Sequence, residues 1–175
     1  EVREQCNVWV VNLEDPLEEM QRRLVAAMLH FNIAPEDVEG RLFLDAGRDM
    51  QIMFASQGRD GIQVHDELVD YMIRKIEQHQ IGVTFIDPWV GANQINENDN
   101  VAMNAAVSAV RRVCDATDCS IGLVHHIRKT NGDEATVDSV RGAGSLIGAA
   151  RAARVINKIS QEDALKLGVS EQDSL

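Results

Sequence analysis

The chain has 175 residues, of which 45% are hydrophobic, ample for one compact α/β domain and short for two. A formal charge of −11, from 28 acidic against 17 basic residues, excludes a broad electropositive nucleic-acid surface, while leaving room for contact through one or two cations supplied by each subunit of a ring. Cys6, Cys114 and Cys119 show no zinc-like spacing, which fits a reducing compartment. With no signal peptide and no apolar run near the roughly 20 residues of a membrane helix, the expectation is a cytoplasmic protein with no membrane contact.

The chain opens at Glu1 and passes almost at once into Val8-Trp9-Val10-Val11. A natural protein rarely begins so close to a buried strand, so the expectation is a piece of a longer chain. Aromatics make up only 4% of the residues, so aliphatic and alanine packing must build the core.

Five short apolar runs, Asn7 to Leu13, Arg41 to Asp45, Gly82 to Asp87, Ser120 to His125 and Arg154 to Ile159, predict strands buried on both faces. Helical spacing fills the intervals. Leu17, Met20, Leu24, Ala27, Met28 and Phe31 mark one face of a first helix, with Asp15 as its expected N-cap and Pro16 as its first residue. Leu68, Val69, Met72, Ile73 and Ile76 mark a second helix ending near Gly82. A third spans about Asn100 to Ala116, with Asp99 as cap and Val101, Ala105, Val110, Val113 and Cys114 facing inward. Alternating strand and helix predict an α/β fold with a mostly parallel sheet covered by helices. The stretches 47–61, 90–98 and 130–138 read as polar loops. Residues 1–160 form the expected core, and 161–175 a weakly helical tail.

In open parallel sheets ligands bind at the carboxyl ends of strands, so the residues closing the runs carry the chemistry. The first run ends in Asn12-Leu13-Glu14-Asp15-Pro16, the third in Ile86-Asp87-Pro88, the fourth in His125-His126-Ile127-Arg128-Lys129. An apolar run closed by one Asp is how nucleotide hydrolases set a carboxylate near magnesium, but it is also an ordinary strand end or turn cap. Glu14 alone reads as a first-turn acid favoured by the helix dipole. Adjacent side chains on a strand point to opposite faces, so His125 and His126 do not easily share one metal ion, and at most one faces the crevice. That geometry counts against a metal-dependent phosphoesterase built on Asp87 and a histidine. Lys129 and Arg128 read as solvated charges. Arg141 opens a run of small residues, Leu146 to Ala153, from a helix start where the dipole disfavours a cation, which points to a task.

In this order, Val8 to Pro16, Arg22-Arg23-Leu24, Phe85 to Pro88, Asn96 to Asn100, Val124 to Lys129 and Val140 to Leu146 resemble the RepA-like branch of the RecA-type, AAA-related ATPases, a branch that includes plasmid replicative helicases. The resemblance covers roughly residues 6 to 160 and implies a RecA-like fold that uses ATP and Mg2+. It implies Glu14 as the base that activates water, with Asp15 beside it, and Asp87 as the Walker B acid on magnesium. His126 would sense the γ-phosphate, with His125 next to it. Arg141, or else Lys129, would be the cation delivered across a subunit interface. It further implies a homo-oligomeric ring, a hexamer, with residues 90–99 and 130–140 facing single-stranded DNA in its channel. One departure is decisive: no Gly-x-x-x-x-Gly-Lys-Ser/Thr occurs in the sequence. Its amides and lysine supply most of the phosphate binding, so this chain alone is expected to hydrolyse ATP negligibly. It is then either the core of a motor whose phosphate loop lies upstream, or a non-catalytic RecA-like interaction module.

Overall fold

A computed structural model describes residues 5–47, 51–126, 134–139 and 144–168. Arg128, Lys129, residues 130–133 and 140, and Arg141 lie outside the described residues. The first apolar run forms β1 (Asn7–Asn12), followed by α1 (Leu17–Phe31), a short α2 (Pro35–Val38) and β2 (Leu42–Ala46). A hairpin of β3 (Ala55–Gly58) and β4 (Gly61–Val64) leads into α3 (Asp66–His79) and β5 (Ile81–Asp87). A 3-10 turn (Trp89–Ala92), a two-residue β6 (Asn93–Gln94), α4 (Asn100–Thr117) and β7 (Ser120–Leu123) complete the main body. Another 3-10 turn (Val137–Ser139), α5 (Gly144–Ala149) and α6 (Gln161–Leu167) follow.

The main sheet runs β2-β1-β5-β7 with every neighbouring pair parallel, so the chain is an α/β protein whose mostly parallel four-stranded sheet is flanked by helices, consistent with a RecA-like core. Alternation assigns its faces. Trp9 and Val11 stand level with Thr84 and Ile86, and all four are buried in the core with Val69, Met72 and Ile76 of α3 and Met103, Ala106, Val110 and Val113 of α4. On the opposite face Phe85 is 42% exposed and lies across Gly122 of β7, where a Cβ would come within 2.7 Å of its ring. Glycine is required there because the ring occupies the side-chain space. A polar group anchors the β1–β2 side: the Trp9 indole N–H donates to Asp45 Oδ2 at 2.9 Å, Lys75 pairs with the same carboxylate, and its ammonium sits 4.7 Å from the Trp9 ring centre.

Several expectations are corrected. The 47–61 stretch is not a surface loop: Ile52, Phe54 and Ala55 are core residues, and β3 pairs antiparallel with β4 and parallel with β6. The short apolar cluster Ile52-Met53-Phe54 drives this, and the surrounding polar residues face outward from a narrow hairpin. Asp15 does not cap α1. Its carboxylate takes the Arg23 guanidinium at 2.7 Å, while α1 begins after Pro16 with no side-chain cap. Ala27 and Phe31 of α1 are exposed, and Met20 is its one buried residue, because α1 packs mainly against β2, the edge strand of the sheet. Val101 is likewise exposed, on the outer side of the first turn of α4. The Arg154 to Ile159 run forms no ladder, and Ile156 is 94% exposed. A strand needs a partner for its backbone groups; β7 is the last strand of the sheet, and the run is not paired with it. In its place the Asn157 side chain clasps the Ala135 backbone, accepting from its N–H and donating to its carbonyl, both at 2.9 Å.

Burial pushes the thiols of Cys114 and Cys119 up, while Cys6 is exposed at the start of β1. The thiolate is the reactive form, so N-ethylmaleimide at neutral pH is expected to modify Cys6 first, the half-buried Cys114 more slowly, and the buried Cys119 only after unfolding. Peptide mapping that found Cys119 labelled as fast as Cys6 would contradict this packing. No helix among the described residues is long and apolar enough to cross a membrane.

Candidate functional site

Because β1, β5 and β7 are parallel, their carboxyl ends share one rim. Asn12 stands level with Asp87, and the Leu13 N–H donates to the Asp87 carbonyl at 2.7 Å, tying the exits of β1 and β5 together. The backbone after β1 is then turned by a side chain that sequence reasoning passed over: Asn12 Oδ1 accepts the N–H groups of Glu14 at 2.9 Å and of Asp15 at 2.7 Å. This is the local turn that Asn is suited to make, and an Asn closing an apolar run just before Glu-Asp-Pro was its signal. It leaves the Glu14 carboxylate free to face solvent.

Beyond β7, the Val124 N–H donates to the Ile86 carbonyl at 3.0 Å, and the Trp89 N–H to the Val124 carbonyl at 2.7 Å, which holds the exit of β7 against that of β5. The two histidines that follow diverge. The His126 side chain is 61% exposed, with Nε2 4.0 Å from Glu14 Oε1; the His125 side chain is 8% exposed, with Nε2 3.9 Å from Glu97 Oε1. Each ring therefore meets a different acid. Asp87 is half-buried at the end of β5, joined to Pro88 by a cis peptide bond. Among the described residues no group of three or more His, Cys, Asp or Glu side chains converges as a closed metal site would require. Asp87, a single half-buried carboxylate at a strand end, is a donor of the kind Mg2+ takes when water and phosphate oxygens fill the rest of its shell.

A model of the AAA domain family matches residues 1–132, which takes in every strand and helix from β1 to β7. The chain belongs to the AAA domain family. It is thus an ATPase-type domain by descent, and the strand-end acids and histidines described above all lie within the matched stretch. No curated protein matches the chain.

The loop that carries Glu97 in this AAA domain is braced from two sides. Gln57 of β3 donates to Asp99 Oδ2 at 3.0 Å and accepts the Asn96 N–H at 3.1 Å, and Asn96 Oδ1 accepts the Asn98 N–H at 3.0 Å. Asp99 caps α4 as expected, accepting from Val101 at 2.9 Å and Ala102 at 3.2 Å. The backbone N–H groups of Ala102 and Val101, and then the Gln57 amide, hold its carboxyl below the ordinary carboxylate value. A group whose folded pKa is depressed stabilises above its unfolded pKa and loses that contribution as pH falls through the folded one. Asp99→Ala is therefore expected to lower the melting temperature at pH 7, with the difference from the parent narrowing as pH falls below about 4, as followed by calorimetry. Gln57 was missed by sequence reasoning because its partners lie about forty positions away, and no local pattern marks such a contact.

Proposed function

We propose that this chain is the ATP-hydrolysing core of a RepA-like, helicase-type motor, working with a phosphate-binding loop supplied from upstream in the same protein. The observation that carries the reading is the 4.0 Å approach of His126 Nε2 to Glu14 Oε1 on the rim where β5 closes with Asp87. An exposed carboxylate beside an imidazole, one strand from an Asp, suits a water positioned for attack on a phosphoryl group. Mg2+, when bound with ATP, would be held from the Asp87 side of the rim and would supply charge neutralisation at the phosphates. Glu14 takes the proton of the attacking water, Asp87 orders the water shell of the metal, and His126 contacts the γ-phosphate. Arg141, or else Lys129, reaches a neighbouring subunit's nucleotide in a ring of six. Residues 90–99 and 130–140 face the channel, where their acidity keeps single-stranded DNA contact weak.

Two features support an upstream partner segment: the sequence holds no Gly-x-x-x-x-Gly-Lys-Ser/Thr, and among the described residues neither the outer edge of β7 nor the apolar Arg154 to Ile159 run forms a ladder. The same missing motif favours a second reading, a non-catalytic RecA-like interaction module. One experiment separates them. The full-length gene product is expected to hydrolyse ATP with Mg2+ and to lose that activity in Asp87→Asn. A full-length protein with no phosphate loop, and with no shift in melting temperature on adding Mg-ATP, would leave the interaction module standing.

A further inference from the structure

The rim holds two histidine–glutamate pairs, and only one of them is open to solvent. His126 and Glu14 face outward, whereas His125 sits beneath the rim at 8% exposure, 3.9 Å from Glu97. Glu97 is itself only 26% exposed and belongs to the loop clamped by Gln57 and ended by the Asp99 cap. The β7 ladder stops at Leu123, and among the described residues the backbone bonds that tie its exit to β5 and the following 3-10 turn are those of Val124. Beyond Val124, the His125 ring faces Glu97 and the His126 ring faces Glu14.

We infer that Glu97 is a positioning residue, which acts through the buried His125 ring to hold the end of β7 where His126 faces Glu14. The inference rests on reading Glu14 and His126 as a working pair. Adjacent side chains leave an extended backbone on opposite sides, so seating one ring fixes the direction of its neighbour. Burial supplies the leverage. A ring packed under the rim and facing a carboxylate on a braced loop has few alternative rotamers, whereas an exposed histidine at a strand exit has many. Glu97 makes no contact with nucleotide in this scheme, and its effect reaches chemistry only through the orientation of His126.

The test uses the full-length protein and a readout that a merely stabilising residue leaves unmoved. In the parent, Glu14→Gln is expected to shift the ring carbon–proton NMR signal of His126, because the two side chains face each other. In a Glu97→Ala background the same substitution is expected to produce less than half that shift, while Glu97→Gln, which keeps an acceptor of equal reach, restores it. ATP turnover should follow, with kcat reduced about tenfold or more in Glu97→Ala and KM for ATP little changed. Should Glu97→Ala not fold, His125→Phe takes its place, keeping the ring and removing the nitrogen that faces Glu97. An unaltered response of His126 to Glu14→Gln in either folded background overturns the inference. If Glu14→Gln leaves turnover untouched in the parent, the catalytic reading falls separately, and the NMR coupling still decides the role of Glu97.

Discussion

Glu14→Gln in the full-length protein is expected to slow ATP turnover about 10²–10⁴-fold, the range by which a positioned general base accelerates proton transfer, while leaving nucleotide affinity nearly intact. The substitution is close to isosteric, and the turn that presents residue 14 is held by Asn12 through backbone N–H groups, so the local fold does not depend on the carboxylate. The loss should fall on kcat, since a group that acts on the attacking water contributes in the transition state and little to ground-state binding. Glu18→Gln on the exposed face of α1 provides the control and should do nothing. Steady-state kinetics with a separate measurement of nucleotide binding decide the matter, and turnover within a few-fold of the parent would remove Glu14 from the chemistry.

Phe54→Ala is expected to cost about 3–5 kcal/mol, as truncation of a fully buried aromatic does, and so to lower the melting temperature by roughly 6–20 °C at about 2–4 °C per kcal/mol for a domain of this size. Phe54 is fully buried, its ring centre lies 5.8 Å from that of Trp89, and its backbone joins two elements, donating to the Ala92 carbonyl at 2.8 Å and accepting from His65 at 3.0 Å. Removing the ring therefore loosens the small β4-β3-β6 sheet and the 3-10 turn that follows Asp87 together. Urea or thermal unfolding, with Trp fluorescence as one probe, gives the number. A loss below about 1 kcal/mol would mean that the segment around Phe54 is solvated surface, as the sequence-based expectation for 47–61 had it.

The parallel sheet was legible because β1, β2, β5 and β7 are short aliphatic runs separated by helical spacing, and such runs shield their apolar atoms most readily by pairing into a sheet that helices cover on the core face. The rim was legible for a related reason: in a parallel sheet the residues that close the runs must come together at one edge, so Glu14, Asp87 and the His125-His126 pair needed no distance to be grouped. Arg154 to Ile159 shows the limit of that logic. Its composition is that of a strand, yet a strand is defined by its neighbour, and composition carries no information about whether the neighbour is present.

What the order of residues determined by itself was the class of fold, the shared edge of the strand ends, and the cap at Asp99, all of which follow from periodicity and contacts a few positions apart. Tertiary structure alone decided that Phe54 is core, that Asp15 serves Arg23 in place of the helix end, that Gln57 braces a loop some forty residues downstream, and that His126 meets Glu14 while His125 turns under toward Glu97. Each of these is a choice between alternatives with the same local propensity, and only packing between distant segments breaks the tie.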